Sequence, residues 1–171
     1  MNWRFCFIGG LALQVWGEQR LTRDIDLTLF TGFQNEEEFV DTLLKHYPAR
    51  ISDPRDFAFK GRVLLLETKD NLGIDIALGG FPFEEGVVER AVYKKYTPEI
   101  SLKICSAEDL IVFKTVASRG RDWADIETIL IKQRQLDWDY INENMLGFSE
   151  LLYSRDAFDQ LQSLKDRFYQ K

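Results

Sequence analysis

The chain has 171 residues, 45% of them hydrophobic and 29% charged, the make-up of a globular protein with an apolar core of its own. Two cysteines and a single histidine exclude a Cys/His zinc site, so any metal is held by oxygen and is of the Mg²⁺, Mn²⁺ or Ca²⁺ kind. A net charge of −6 does not advertise a nucleic-acid surface, no apolar run reaches the ~18 residues of a membrane span, and MNWRFCFIGG is too short for a secretory signal; the expectation is a cytoplasmic protein.

In chain order, Arg4–Ile8 reads as a short buried strand that ends at Gly9-Gly10. Leu11–Trp16 follows as a short helix, which Gly17 suits as a left-handed cap. Arg23–Phe30 alternates Asp24, Asp26 and Thr28 with Ile25, Leu27 and Leu29, the period-2 pattern of a strand with one face in a core. Asn35 and three glutamates open a helix that runs to His46 and stops before Pro48. Phe57–Lys60, Val63–Thr68 and Ile74–Leu78 read as strands, with a turn at Asp70-Asn71 and Gly73. Phe81–Gly86 reads as a loop around Pro82, Val87–Tyr96 is open between helix and strand, and Leu102–Cys105 is a further strand.

From Ser106 the pattern is helical. Ser106 caps a helix carrying Leu110, Phe113 and Ala117 at helical spacing; Asp122–Lys132 and Asp137–Met145 come next. Asp156–Tyr169 closes the series with Phe158, Leu161, Leu164 and Phe168 on one stripe. Strands first and helices after them predict an α+β fold: a mixed β-sheet core with flanking helices over 1–105 and a C-terminal helical region over 106–171. Cys6 and Cys105 sit in apolar runs, where cysteine behaves as a small hydrophobe.

Asp24 and Asp26 leave the same face of one strand, and like charges that close repel unless a cation lies between them. The bland alternative is a pair of solvent-facing acids on an edge strand. Asp75 weighs against it, because an aspartate between two isoleucines in an apolar strand is costly if buried unpaired. Gly9-Gly10 lets phosphate approach bare backbone N–H groups, or else makes a tight strand-to-helix turn.

Phe7-Ile8-Gly9-Gly10-Leu11-Ala12-Leu13, Trp16-Gly17, Arg20, Thr22 and Asp24-Ile25-Asp26-Leu27 together resemble the signature of the DNA polymerase β-like nucleotidyltransferase superfamily. The Gly-Gly form is similar to its AbiEii-type branch and to the lincosamide nucleotidyltransferases. Lys114-Thr115-Val116-Ala117 with Arg119, Arg121, Asp122 and Asp125 resembles the helical motif of the AbiEii type, so the likeness spans residues 5 to 131. Trp16 departs from it, standing where relatives often carry His.

The resemblance implies a metal-dependent enzyme that moves a nucleoside monophosphate from a nucleoside triphosphate to a hydroxyl-bearing acceptor: a small molecule, a protein or RNA. It implies Mg²⁺ or Mn²⁺ on Asp24, Asp26 and Asp75, with Asp75 positioning or deprotonating the acceptor. It further implies Lys114 as a phosphate contact, and Gly9, Gly10, Arg20, Thr22, Arg119, Arg121, Asp122 and Asp125 around the nucleotide. A toxin of a toxin–antitoxin pair, with an antitoxin-like protein partner, is one setting and an antibiotic-modifying enzyme another. A non-catalytic module that binds a nucleotide or a partner through the same fold is the alternative.

Overall fold

A computed structural model describes residues 3–169, which form two compact units. The first holds the chain up to Leu11 and then Leu21–Cys105; the second holds Ala12–Arg20 and the chain from Ser106 onward.

In the first unit, the strands are β1 (Phe5–Phe7), β2 (Asp24–Phe30), β3 (Val63–Glu67), β4 (Gly73–Gly79), β5 (Val92–Lys95) and β6 (Ser101–Ile104). They form one mixed sheet in the order β3-β4-β2-β1-β6-β5. β2 runs parallel to β4 and antiparallel to β1, and their register sets Ile25 beside Ile74, Leu27 beside Ile76 and Leu29 beside Leu78. That face is covered by α2 (Glu36–His46) and α3 (Pro54–Gly61): Val40 and Ala58 are buried among Leu29, Leu64, Leu66, Ile74, Ile76 and Leu78. Trp3 packs on this cluster, its ring centroid 5.2 Å from that of Phe39. Cys6 and Cys105 are both buried and no disulfide joins them.

In this unit two segments differ from the sequence expectation. Phe57–Lys60 lies inside α3, because Asp53-Pro54 opens a helix there: proline at the first turn has no N–H to lose, and Ala58 is the residue turned inward. Phe81–Gly86 is likewise the start of a helix, α4 (Pro82–Arg90). Glu84 caps it, accepting hydrogen bonds from the backbone N–H groups of Gly80 (2.7 Å) and Phe81 (2.9 Å). The ambiguous stretch after it divides, with helix to Arg90 and β5 beyond.

In the second unit, α5 (Ala107–Ala117), α6 (Gly120–Lys132), α7 (Trp138–Leu152) and α8 (Asp156–Tyr169) enclose a core that includes Leu110, Ile111, Ile126, Ile129, Ile141, Met145 and Leu161. Ser106 Oγ accepts from Asp109 N–H at 3.0 Å, and Asp137 accepts from Tyr140 N–H at 2.9 Å, each satisfying an N-terminal donor. α5 is buried on most of its circumference, so its Leu110–Phe113–Ala117 row is not its core stripe: Ala117 is exposed, while Ile111, Val112 and Thr115 are buried. α7 continues two turns past Met145 to a left-handed cap at Tyr153.

Residues 12–20 carry the rest of α1 (Gly9–Trp16), and α6 with its C-terminal cap holds them. Lys132 Nζ donates to the carbonyls of Val15 (3.1 Å) and Gly17 (3.0 Å), and Gln133 donates to that of Trp16 (2.8 Å). Gly17 is not in the left-handed conformation its position after the helix suggested. It is glycine for space: a Cβ there would stand 2.5 Å from Thr128 Oγ1 and 2.7 Å from Leu13 Cδ1.

Among the described residues no helix is long and apolar enough to cross a membrane.

Candidate active site

The register of β2 and β4 decides where the acids go. Asp26 lies directly beside Asp75, and Asp24 beside Gly73. Neighbours in a parallel ladder share a face, and residues two apart on one strand do too. Asp24, Asp26 and Asp75 therefore all project from the face opposite the α2/α3 core, near the N-terminal ends of two parallel strands.

β1 brings the diglycine to the same place. Ile8 N–H donates to the Asp26 carbonyl at 2.9 Å, α1 begins at the next residue, and Gly10 N–H donates to Asp26 Oδ2 at 3.2 Å. Gly9 has φ +55°, and a Cβ on it would overlap the Asp26 carboxylate and stand 2.7 Å from Asp26 Cβ. A Cβ on Gly10 would meet Thr22 Oγ1 at 2.5 Å. The pair is thus small because the Asp26 side chain and Thr22 lie against it. Thr22 Oγ1 donates to the Asp24 carbonyl at 3.0 Å and fixes the entry into β2.

Asp24 and Asp75 share a partner that sequence reasoning missed. Arg50 donates from Nη2 to Asp75 Oδ1, and its Nη1 lies 3.6 Å from Asp24 Oδ1. No hydrophobic period marks Arg50; only the β3 backbone places it. Burial raises the Asp75 carboxyl above its usual value, Arg50 opposes this, and the Asp24 charge adds to the rise. The donor chemistry, all carboxylate oxygen, suits a hard divalent ion. As they stand, however, no three acidic, histidine or cysteine side chains among the described residues are grouped closely enough to hold one.

The second unit contains its own charge cluster. Lys114, 5% exposed, donates to Asp125 Oδ2 at 2.6 Å and to Asp122 Oδ1 at 3.2 Å. Arg20 grips Asp125 with two bonds, Nε to Oδ1 at 2.9 Å and Nη2 to Oδ2 at 2.8 Å. Arg119 Nε donates to Asp122 Oδ2 at 2.6 Å, while Arg121 is exposed. Burial pushes both aspartates up, but Arg119 and Lys114 at Asp122, and Arg20 and Lys114 at Asp125, outweigh it and hold both below the ordinary carboxylate value. Lys114 Nζ, expected on phosphate, is occupied by these two carboxylates.

A mixed sheet with paired acids at one end and helices appended after it is a nucleotidyltransferase fold. The chain is similar to the lincosamide antibiotic adenylyltransferase LnuA in its lincomycin-bound crystal structure, with TM-score 0.50, 16% identity, and 75% of this chain and 87% of that one covered. It is also similar to the antibiotic-resistance factor ANT(2'')-Ia, with TM-score 0.53, 16% identity, and 95% and 89% covered. At such identity these likenesses speak for the fold alone. The model of the family described as "Nucleotidyl transferase AbiEii toxin, Type IV TA system" matches residues 3–164, and the chain belongs to that family. No curated protein sequence matches it.

Proposed function

We propose that this nucleotidyltransferase moves a nucleoside monophosphate from a nucleoside triphosphate to a hydroxyl-bearing acceptor, as the toxin half of a toxin–antitoxin pair. The observation that carries the reading is the register of β2 and β4, which lines up three carboxylates on one face beside the diglycine turn.

In this reading Asp24, Asp26 and Asp75 would hold Mg²⁺ or Mn²⁺, which when bound neutralises triphosphate charge. Asp26 is oriented by Gly10 N–H, which donates to its Oδ2. Asp75, beside Asp26 on the neighbouring strand, positions the attacking hydroxyl and accepts its proton. The acceptor oxygen bonds to the α-phosphorus, the bond to the β-phosphate oxygen breaks, and pyrophosphate leaves. Lys114 and Arg20 act at one remove, keeping Asp122 and Asp125 and the 12–20 segment in place.

The test incubates the purified chain with each α-labelled nucleoside triphosphate, Mg²⁺ or Mn²⁺, and cell extract separated into small-molecule, protein and RNA fractions. Label should appear in one fraction together with pyrophosphate, and Asp26→Asn, which keeps the side-chain shape, should abolish both without changing the melting temperature. Nucleotide bound but not transferred, equally in wild type and Asp26→Asn, would refute the enzyme and leave a binding module.

A further inference from the structure

Arg50 is placed with unusual care for a loop residue. It lies between α2 and α3, in a stretch that the outer edge of β3 holds by three contacts. Glu67 N–H donates to the Pro48 carbonyl (3.0 Å), Ala49 bridges Leu66, and Arg50 N–H donates to the Leu65 carbonyl (3.1 Å). From that anchor the side chain reaches Asp75 on β4 and Asp24 on β2. Gly73 keeps the space open: a Cβ there would overlap the Asp24 carboxylate and stand 2.9 Å from Arg50 Nη1.

A guanidinium carries a full positive charge on a planar fork of N–H donors. It is a cation on the very oxygens that a metal would need. Two positive centres cannot share those oxygens without strong repulsion. The contact is also open to exchange, since the Arg50, Asp24 and Asp75 side chains are 29%, 46% and 35% exposed. This explains why three acids on one face do not stand as a ready cage: Asp26 is turned to Gly10, while Asp24 and Asp75 face Arg50.

We propose that Arg50 is a resident counter-cation, which satisfies Asp24 and Asp75 in the metal-free protein and which a divalent ion must displace in order to bind. The proposal rests on the reading of these acids as a metal site. Arg50 is on this account a positioning residue that sets the threshold metal concentration, and it keeps the acidic face from repelling itself when no ion is present.

Mn²⁺ binding, followed by the loss of the free-ion paramagnetic signal, tests it without any turnover. Arg50→Gln should bind Mn²⁺ about two- to fivefold more tightly than wild type, the scale of one partly exposed ion pair no longer competing. Arg50→Lys, which retains the charge, should stay near the wild-type value; a merely structural arginine would give weaker or unchanged binding in both variants. Equal or weaker binding by Arg50→Gln, with Mn²⁺ still lost in Asp26→Asn, overturns the proposal and leaves the enzyme reading intact. No Mn²⁺ binding by wild type and by Arg50→Gln overturns both. If Arg50→Gln does not fold, the side-chain ¹⁵N resonance of Arg50 in the wild-type chain, assigned by its disappearance in Arg50→Lys, replaces it. That resonance should shift on saturation with Mg²⁺, and an unmoved signal overturns the proposal.

Discussion

Lys114→Met removes the centre of the buried charge cluster in the second unit while preserving most of the stem's volume. Two charge-assisted bonds disappear, at 2.6 Å to Asp125 and 3.2 Å to Asp122. Bonds to charged groups contribute about 1.5 to 3 kcal/mol each. Asp125 keeps Arg20 and Asp122 keeps Arg119, and the desolvation cost of the ammonium is relieved. We therefore expect a loss of about 3 kcal/mol, at the low end for breaking a buried pair. In a chain of this size that lowers the melting temperature by about 6 to 12 °C.

The assay is urea unfolding near neutral pH and again in acid. Both aspartates titrate lower when folded than when unfolded. Their contribution is thus complete above the unfolded value of about 3.9 and is lost as pH falls through the depressed folded values. The gap between wild type and Lys114→Met should be widest near neutral pH and narrow below about pH 4. A gap below about 0.5 kcal/mol at neutral pH, or one unaltered in acid, refutes the assignment of Lys114 to these carboxylates.

Gly9→Ala should cost about 2 to 4 kcal/mol, from a positive φ that alanine resists and from overlap with Asp26. It should also abolish nucleotidyl transfer by pushing the Asp26 carboxylate off Gly10; unfolding by urea and the transfer assay check the two parts. Gly17→Ala, with no left-handed strain to pay, should cost about 1 to 3 kcal/mol through contact with Thr128. A double-mutant cycle with Thr128→Ala should recover at least about 0.5 kcal/mol of that, and strict additivity would show that the crowding is not there.

How much of this was legible in the sequence depended on whether a residue carried a period. β2 and β4 announce themselves because Ile25, Leu27 and Leu29, and Ile74, Ile76 and Leu78, alternate with polar or small partners, and the same alternation sends Asp24, Asp26 and Asp75 to the other face. The same cue misled at Phe57–Lys60, where four alternating residues look like strand although Asp53-Pro54 had already begun a helix. Pro82 reads as a loop marker, yet a proline followed two residues later by a capping glutamate opens α4. Gly17 suggests backbone freedom in the sequence, whereas its constraint is a neighbouring helix. Arg50 could not be found at all, since its partner is fixed by the bridge from Ala49 to Leu66 rather than by any pattern of its own.

The ownership of residues 12–20 bears on how this molecule tolerates being divided. The peptide leaves the sheet-bearing unit partway along α1, returns at Leu21 and leaves again after Cys105, so it crosses the boundary three times. Severing it after Cys105 yields no self-contained sheet-bearing half: the amino-terminal fragment keeps Val15, Trp16, Gly17 and Glu18 but forfeits Thr128, Lys132 and Gln133, which hold them. Evolution could exchange the helical unit among relatives only by trading that nine-residue strap along with it.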